Sequence, residues 1–491
     1  MKSIKYVMTL ALIQGSFACH SEQVKKDQTH DINGVWFSQR DGEIKIIENE
    51  TTRTIQVVNS TCYEVSNSLS YGTELSYEAI QQHSIRQDNQ LILNILRPRP
   101  FTYTLVSNIN DVCTEGLGHS MVRDGYFDFD FDAQSMFDIY WQDMNNHYAF
   151  FDERNIDWDG VYEKYYDDLY GADDEQLINV FDEILRHLKD DHSSISIPSK
   201  ELQIWYSNKA TLEQKLELEA DQLNIPESEK ESYITSQKDK ITLNIMKYLF
   251  EHEQEGFKKR ASRESKEHRL NWGIIDNKGI ATGYLRIGDF MSYIDEGLIT
   301  ETPRRNTDKA HRQFEELVTK ILTQLNDTQS LIIDIRENEG GLDMQGLWLL
   351  QHLIEEQQLA WHVSSYFKGE FSHDVDVMMT PSDGISYTKP IVLLTSFGTV
   401  SAAETFASAM KTLPHVTIVG ESTSGATSDA FGRMLPNGWE YSLSNLYYKN
   451  RDLKNHEVTG VQPEHVVRNF VLEDRQQGRD VALEKALSLL Y

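Results

Sequence analysis

The chain of 491 residues predicts a multi-domain, mixed α/β protein: a small β-rich N-terminal domain, an acidic helical region, and an α/β core. Three observations carry that expectation. Length alone implies two to four domains at ~150 residues each. Hydrophobic residues make up 39% of the chain, with 8 Trp, 20 Phe and 23 Tyr, which supplies real cores and excludes a disordered chain. Beyond residue 272, buried-strand patterns alternate with amphipathic-helix patterns, the rhythm of a sheet paired mostly in parallel.

The N-terminus reads as a secretory signal over residues 1–18. Lys2 and Lys5 precede an apolar run from Tyr6 to Ile13, and the small-residue exit Ser16-Phe17-Ala18 follows. The run is far shorter than the ~20 residues that span a bilayer. Cys19 directly after Ala18 resembles a bacterial lipoprotein site, which would anchor the exported chain to a membrane through a lipid on Cys19; ordinary cleavage to a soluble form is the alternative. If Cys19 is lipidated or lost, Cys62 and Cys113 remain, either as one disulfide in an oxidising compartment or as two buried thiols. Neither has a neighbouring His or Cys at zinc spacing, so a metal site is not expected.

Residues 30–115 form the β-rich domain. Val35-Trp36-Phe37, Ile44 to Ile47, Thr54 to Val58 and Leu91-Ile92-Leu93 are short β-type runs between polar turns. Over 125–200 the pattern turns helical, with Met136, Phe137, Tyr140, Trp141 and Met144 on one face. Leu177, Val180, Phe181, Ile184, Leu185 and Leu188 repeat it and lead into Asp190-Asp191-His192. Residues 201–270 are densely charged and read as long solvated helices. In the core, 271–491, Ile280 to Ile287, Leu331 to Ile335, Pro390 to Leu394 and Val416 to Val419 read as strands. Helices are expected over Phe314 to Leu325 and from Ala402 to Leu413, where Pro414 stops the second. The 47 basic residues against 77 acidic ones give a formal charge of −30, which repels polyanions and excludes a nucleic-acid partner.

Ser401 sits between a buried strand and the helix that begins at Ala402. Amides at a helix N-terminus favour negative charge, so a hydroxyl there suits a nucleophile whose substrate oxygen becomes an oxyanion. The same Ser401-x-x-Glu404 also spells a capping box, which needs no catalysis. His192 ends a helix at a polar loop, where its ring can act as a general base. Asp334-Ile335-Arg336-Glu337-Asn338-Glu339-Gly340-Gly341 opens a buried strand into paired glycines that can bring an amide close to a substrate carbonyl. Glu457 is a carboxylate able to orient and stabilise a protonated His.

In this order the segments resemble the tail-processing and tricorn-type serine peptidases. The motifs are Leu-x-Asp-x-His (Leu188 to His192), Gly-Tyr-Leu-Arg-Ile (Gly283 to Ile287), Asp-Ile-Arg-x-Asn-x-Gly-Gly (Asp334 to Gly341), Ser-Ala-Ala-Glu (Ser401 to Glu404) and Val-Gly-Glu-x-Thr-x-Gly (Val419 to Gly425). The resemblance implies a crotonase/ClpP-like ββα core, a peptide or protein substrate and no cofactor. Tail-processing members pair the serine with a lysine after Gly-Glu-x-Thr; here Ala426 stands at that place, and no Lys lies between Lys411 and Lys449. The tricorn-like style uses His and Glu instead. It implies Ser401 as nucleophile, His192 as base and Glu457 as orienting carboxylate, with the amides of Ala402, Gly341 and Gly340 as oxyanion hole. The tricorn protease has a serine before its His; this chain has Asp191, which leaves Ser193 or Thr423 as stand-ins for a helper hydroxyl. The rival expectations are a catalytically silent ligand-binding protein on the same fold, as in retinoid-binding relatives from the eye, and a crotonase-like acyl-coenzyme A enzyme. Signatures of metallopeptidases, nucleotide-binding loops and Gly-x-Ser-x-Gly hydrolases are absent from the sequence.

Overall fold

A computed structural model describes residues 31–66, 76–93, 98–250, 270–290 and 307–490. The expected signal segment and Cys19 lie outside the described residues. From Gly34 to Val106 the chain folds into a seven-stranded antiparallel sheet, with Thr61–Val65 at one edge and Ser84–Gln87 at the other. Trp36, Ile47, Ile80, Leu91 and Tyr103 form one small core of this domain, and Ile44, Ile55 and Val57 another. A disulfide joins Cys62 and Cys113 within the second core, with 5.8 Å between their Cα atoms.

Three helices follow, Ala133–His147, Trp158–Tyr165 and Asp174–Leu188. The last starts at a capping box in which Asp173 accepts from the Gln176 amide and Gln176 reaches back to the Asp173 amide. It ends at Lys189, whose φ of 50° turns the chain out of the helix just before Asp190. Its apolar stripe, with Phe137 and Tyr140 of the first helix, packs in one aromatic cluster with Trp439 and Tyr441 from the far C-terminal part.

The core is a six-stranded sheet ordered Leu270–Asn277, Ile280–Ile287, Ser330–Asp334, Ile391–Thr395, Val416–Gly420 and His465–Val466. Only the first pair is antiparallel; the four other pairings are parallel. Ser330–Asp334 and Ile391–Thr395 are buried at every position, as strands covered on both faces require. Thr307–Leu325, Asp343–Gln351 and Ala402–Met410 cover one face.

On the other face lies Glu227–Phe250, which inserts Ile241 and Ile245 against Tyr284, Ile332, Val392, Leu394 and Val419. This corrects the expectation of solvated helices over 201–270 for the described helix Glu227–Phe250, which covers the core because Ile234, Ile241 and Ile245 fall on one helix face among the charges. The helix from Ala402 also ends earlier than expected, at Met410. Thr412 and Leu413 donate to carbonyls three residues back, tightening the last turn ahead of Pro414.

The helical region and the core share a sheet. Ser194–Ile197, directly after His192, pairs antiparallel with Glu440–Ser444, which pairs with Ala430–Met434; Leu202–Trp205 closes the other edge. This pairing carries His192 across the molecule to Ser401.

Candidate active site

Ser401 stands at the junction of the strand Ile391–Thr395 and the helix Ala402–Met410, with φ 57° and ψ −127°. Few L-residues adopt that conformation, which costs about 1–3 kcal/mol and persists only where the surroundings impose it. The Ser401 amide donates to the Ala426 carbonyl at 3.1 Å, and its carbonyl accepts from the Glu404 amide at 2.7 Å. Its side chain makes no capping bond, so the hydroxyl is left to face His192. His192 Nε2 lies 3.0 Å from Ser401 Oγ. The two side chains are both half-buried.

The glycine loop packs directly on this turn. Gly340 has φ +98°, and a Cβ there would lie 2.6 Å from Ser401 Cβ, 2.8 Å from the Val400 carbonyl and 3.0 Å from the Ala402 amide. Only glycine permits that approach. Gly340 itself is a poor oxyanion donor, since its amide donates to Asn338 Oδ1 at 2.9 Å. The bridge between this loop and Phe290 uses the Gly340 carbonyl, 2.7 Å, and the Leu342 amide, 2.9 Å. That leaves the Gly341 and Ala402 amides without a backbone partner among the described residues. The loop is held from beneath by fully buried Arg336, which binds Asp334 (2.9 and 2.6 Å) and Asp480 (both 2.8 Å).

Glu404 does not close a capping box. It is buried and accepts from the Thr423 hydroxyl and from the Gly425 and Ala426 amides, both at 2.7 Å, so it holds the loop whose Ala426 carbonyl fixes Ser401. Burial pushes its carboxyl up to about 7, against those donors and helped by the charge of Asp191. Ser193 donates to Asp190 and Thr423 to Glu404, so both candidate helper hydroxyls are engaged away from Ser401.

Glu457 comes to the same region but makes no hydrogen bond to His192. Its Oε2 accepts from the Thr427 amide (2.7 Å), the Thr427 hydroxyl (2.9 Å) and the Ser428 amide (3.1 Å), and its Oε1 from Arg154 (3.0 Å). Burial and the adjacent Asp190 push its carboxyl up to about 8, against Arg154. His192 Nδ1 is buried and without a hydrogen-bond partner among the described residues. The carboxylate that does bond His192 is Asp190, which accepts from its backbone amide at 3.0 Å.

Sequence reasoning missed Arg154, which also donates to the Leu188 and Lys189 carbonyls at 3.2 and 2.7 Å and so clamps the end of the His-bearing helix. It also missed Lys209. This lysine approaches from the charged segment and donates to Ser422 Oγ (3.1 Å), the Thr423 carbonyl (2.6 Å) and the Thr459 carbonyl (3.0 Å). It thus ties together the loops that carry Ala426 and Glu457. Neither residue had a signal in the sequence, because the bonds of Arg154 to Glu457 and of Lys209 to Thr423 join positions more than 200 residues apart.

A serine on a strained strand-to-helix turn thus faces an imidazole on a mixed α/β scaffold, beside two amides that have no backbone partner among the described residues. The model of peptidase family S41 matches residues 281–467 of the chain. That stretch contains Gly341, Ser401 and Glu457 but not His192.

Among curated proteins the chain is 23% identical to the carboxyl-terminal-processing protease of Synechocystis sp. (strain ATCC 27184 / PCC 6803 / Kazusa) over 43% of this chain and 44% of that protein. It is 30% identical to the carboxy-terminal processing protease CtpA of Bacillus subtilis (strain 168), over 23% of this chain and 24% of that one. The chain therefore spans less than half the length of either. Among solved structures, a candidate peptidase from Parabacteroides merdae ATCC 43184 is similar with a TM-score of 0.54 at 21% identity, covering 74% of this chain and 97% of that one. Mature CPAF is similar with a TM-score of 0.50 at 15% identity, covering 73% and 97%. These likenesses show the fold.

Proposed function

We propose that the protein is an exported serine peptidase that hydrolyses peptide bonds through an acyl-enzyme on Ser401. The observation that carries this reading is the 3.0 Å approach of His192 Nε2 to Ser401 Oγ at a backbone turn that exposes the hydroxyl. Oγ attacks the substrate carbonyl carbon as Nε2 takes its proton. The carbonyl oxygen becomes an oxyanion beside the amides of Ala402 and Gly341, where each donor supplies about 10²–10³-fold. Collapse breaks the C–N bond, and the imidazolium returns the proton to the leaving amine. Nε2 then deprotonates water, which attacks the acyl carbon and frees Ser401.

The ββα, crotonase/ClpP-like character of the core is supported by the strands Ile280–Ile287, Ser330–Asp334 and Ile391–Thr395, each followed in chain order by a helix that covers the sheet. Export is supported by the Cys62–Cys113 disulfide, which persists in oxidising compartments; lipid attachment at Cys19 belongs to the same proposal. Among the described residues no helix is long and apolar enough to cross a membrane. The acyl-enzyme chemistry needs no cofactor.

A fluorophosphonate probe tests the assignment. Mass spectrometry is expected to place the adduct on Ser401, with none on Ser401→Ala and a labelling rate about 10³-fold lower in His192→Ala, because the pair acts as a unit. Well-folded wild type that takes no label, or labels equally without His192, overturns the reading.

A further inference from the structure

Two carboxyls share Arg154 beneath His192, and only one of them is bonded to the histidine residue. Asp190 Oδ1 accepts the His192 backbone amide at 3.0 Å and the Ser444 hydroxyl at 3.1 Å, while Oδ2 accepts the Ser193 hydroxyl at 3.0 Å. Arg154 Nη2 lies 3.7 Å from Asp190 and 3.0 Å from Glu457, with both carboxylate side chains fully buried. The donors on Glu457 all come from Arg154 and the 427–428 loop. We propose that Asp190, not Glu457, is the residue that positions His192 and stabilises its protonated form, and that Glu457 anchors the 427–428 loop. The proposal rests on the reading of His192 as the base of Ser401.

The argument begins with geometry. Asp190 fixes the His192 backbone, and Ser444 fixes Asp190, so the ring is placed by the same strand pairing that joins the helical region to the core. Ser442 Oγ reinforces this by donating to the His192 carbonyl at 2.7 Å. The ring then presents Nε2 to Ser401 and keeps Nδ1 inside the protein, away from water.

Electrostatics agree. Two carboxyls close together in a dry site do not ionise alike. Burial raises both, but Arg154, the His192 charge and amide, and Ser444 hold Asp190 below the ordinary range, whereas Glu457 is driven above it. Asp190 therefore keeps the negative charge that an imidazolium needs. The other charged or titratable groups around it are Asp191, raised by burial and bonded to Ser424, buried Tyr148 and Tyr140, and, beyond the loop, Glu404 and Lys209. Of the carboxylates among these, Asp190 alone bonds the His192 amide.

The test follows the His192 imidazole through pH by NMR of protein labelled at histidine Cε1, with His192→Gln assigning its signal among the 16 histidines. In Asp190→Asn the His192 midpoint is expected to fall by about one pH unit, a tenfold loss of basicity. In Glu457→Gln it is expected to stay at the wild-type value. A fall in Glu457→Gln, or no fall in a folded Asp190→Asn, overturns the proposal. If Asp190→Asn does not fold, the Glu457→Gln arm decides alone. Fluorophosphonate labelling of the same samples separates the two readings: a wild type that does not label removes the Ser401 chemistry, while the midpoints still identify the carboxylate coupled to His192.

Discussion

At the scale of single residues, the site depends on backbone more than on side-chain reach. Ser401 holds a strained conformation because its amide is tied to Ala426 and its carbonyl to Glu404, and because Gly340 presses on the turn from the opposite side. A methyl group at Gly340 meets Ser401 Cβ, a carbonyl and the Ala402 amide together, none of them the flexible end of a side chain. Something in the turn must therefore shift, and an oxyanion donor displaced by about 1 Å costs about 10²-fold. Gly340→Ala is accordingly expected to lower the fluorophosphonate labelling rate at Ser401 by about 10²-fold or more while circular dichroism remains that of a folded protein. A variant that labels at the wild-type rate removes the close contact as a determinant of the site.

At the scale of elements, the helix Glu227–Phe250 shows how burial is concealed by charge. Ile241 and Ile245 share one buried cluster with residues of five core strands, and Arg475 fastens the same helix through Gln237 while its Nη2 reaches Glu219. Truncating a buried Ile costs about 2–5 kcal/mol, so Ile245→Ala is expected to lower the unfolding free energy by that amount, read as a lower urea midpoint with the m-value unchanged. A loss of unfolding free energy under about 0.5 kcal/mol would return the helix to the solvated role that its composition suggests.

The same reasoning explains what the sequence made legible. The strands Ser330–Asp334 and Ile391–Thr395, the helix face of Phe314 to Leu325, and the positions of Ser401 and His192 all lie in short contiguous patterns, where period and turn chemistry speak locally. The helix Asp343–Gln351 gave no periodic signal because it is buried around nearly its whole circumference. The Arg154, Asp190 and Ser444 cluster exists only once Ser194–Ile197 pairs with Glu440–Ser444, so no local pattern contains it. Glu457, which the resemblance implies as the carboxylate orienting His192, accepts from Thr427, Ser428 and Arg154: order along the chain identifies residues of one region, but not which of them touch.

For the whole molecule, one buried ion pair joins three regions. Arg433 of the core binds Asp143 of the first long helix through Nε to Oδ2 (2.6 Å) and Nη2 to Oδ1 (2.7 Å), and Nη1 reaches the Asp41 carbonyl of the N-terminal domain at 3.0 Å. Tyr441 donates to the same carboxylate, and both charged side chains are almost completely buried. Such a pair contributes little net stability when both partners are present, yet removing one leaves an uncompensated charge at a cost of about 3–5 kcal/mol. Arg433→Met is thus expected to lower the unfolding free energy by that amount, and to loosen the N-terminal domain, read as faster amide exchange in Glu43–Glu48 and Thr51–Val58. The pH dependence follows from the carboxyl. Although burial opposes it, Arg433 and His147 hold Asp143 well below its ordinary value of 3.8. The unfolded chain therefore takes up a proton there before the folded one does. The stabilisation is complete above about pH 4, near the ordinary carboxylate value, and is lost progressively as pH falls from there toward the depressed native value. Thermal melts between pH 6 and pH 2 are expected to fall steeply below pH 4 in the wild type and less steeply in Asp143→Asn, which has no proton to gain at that position. Parallel slopes in the two proteins would show that acid sensitivity resides in other carboxylates, and that this junction is held by packing around Tyr441 and Phe137 rather than by charge.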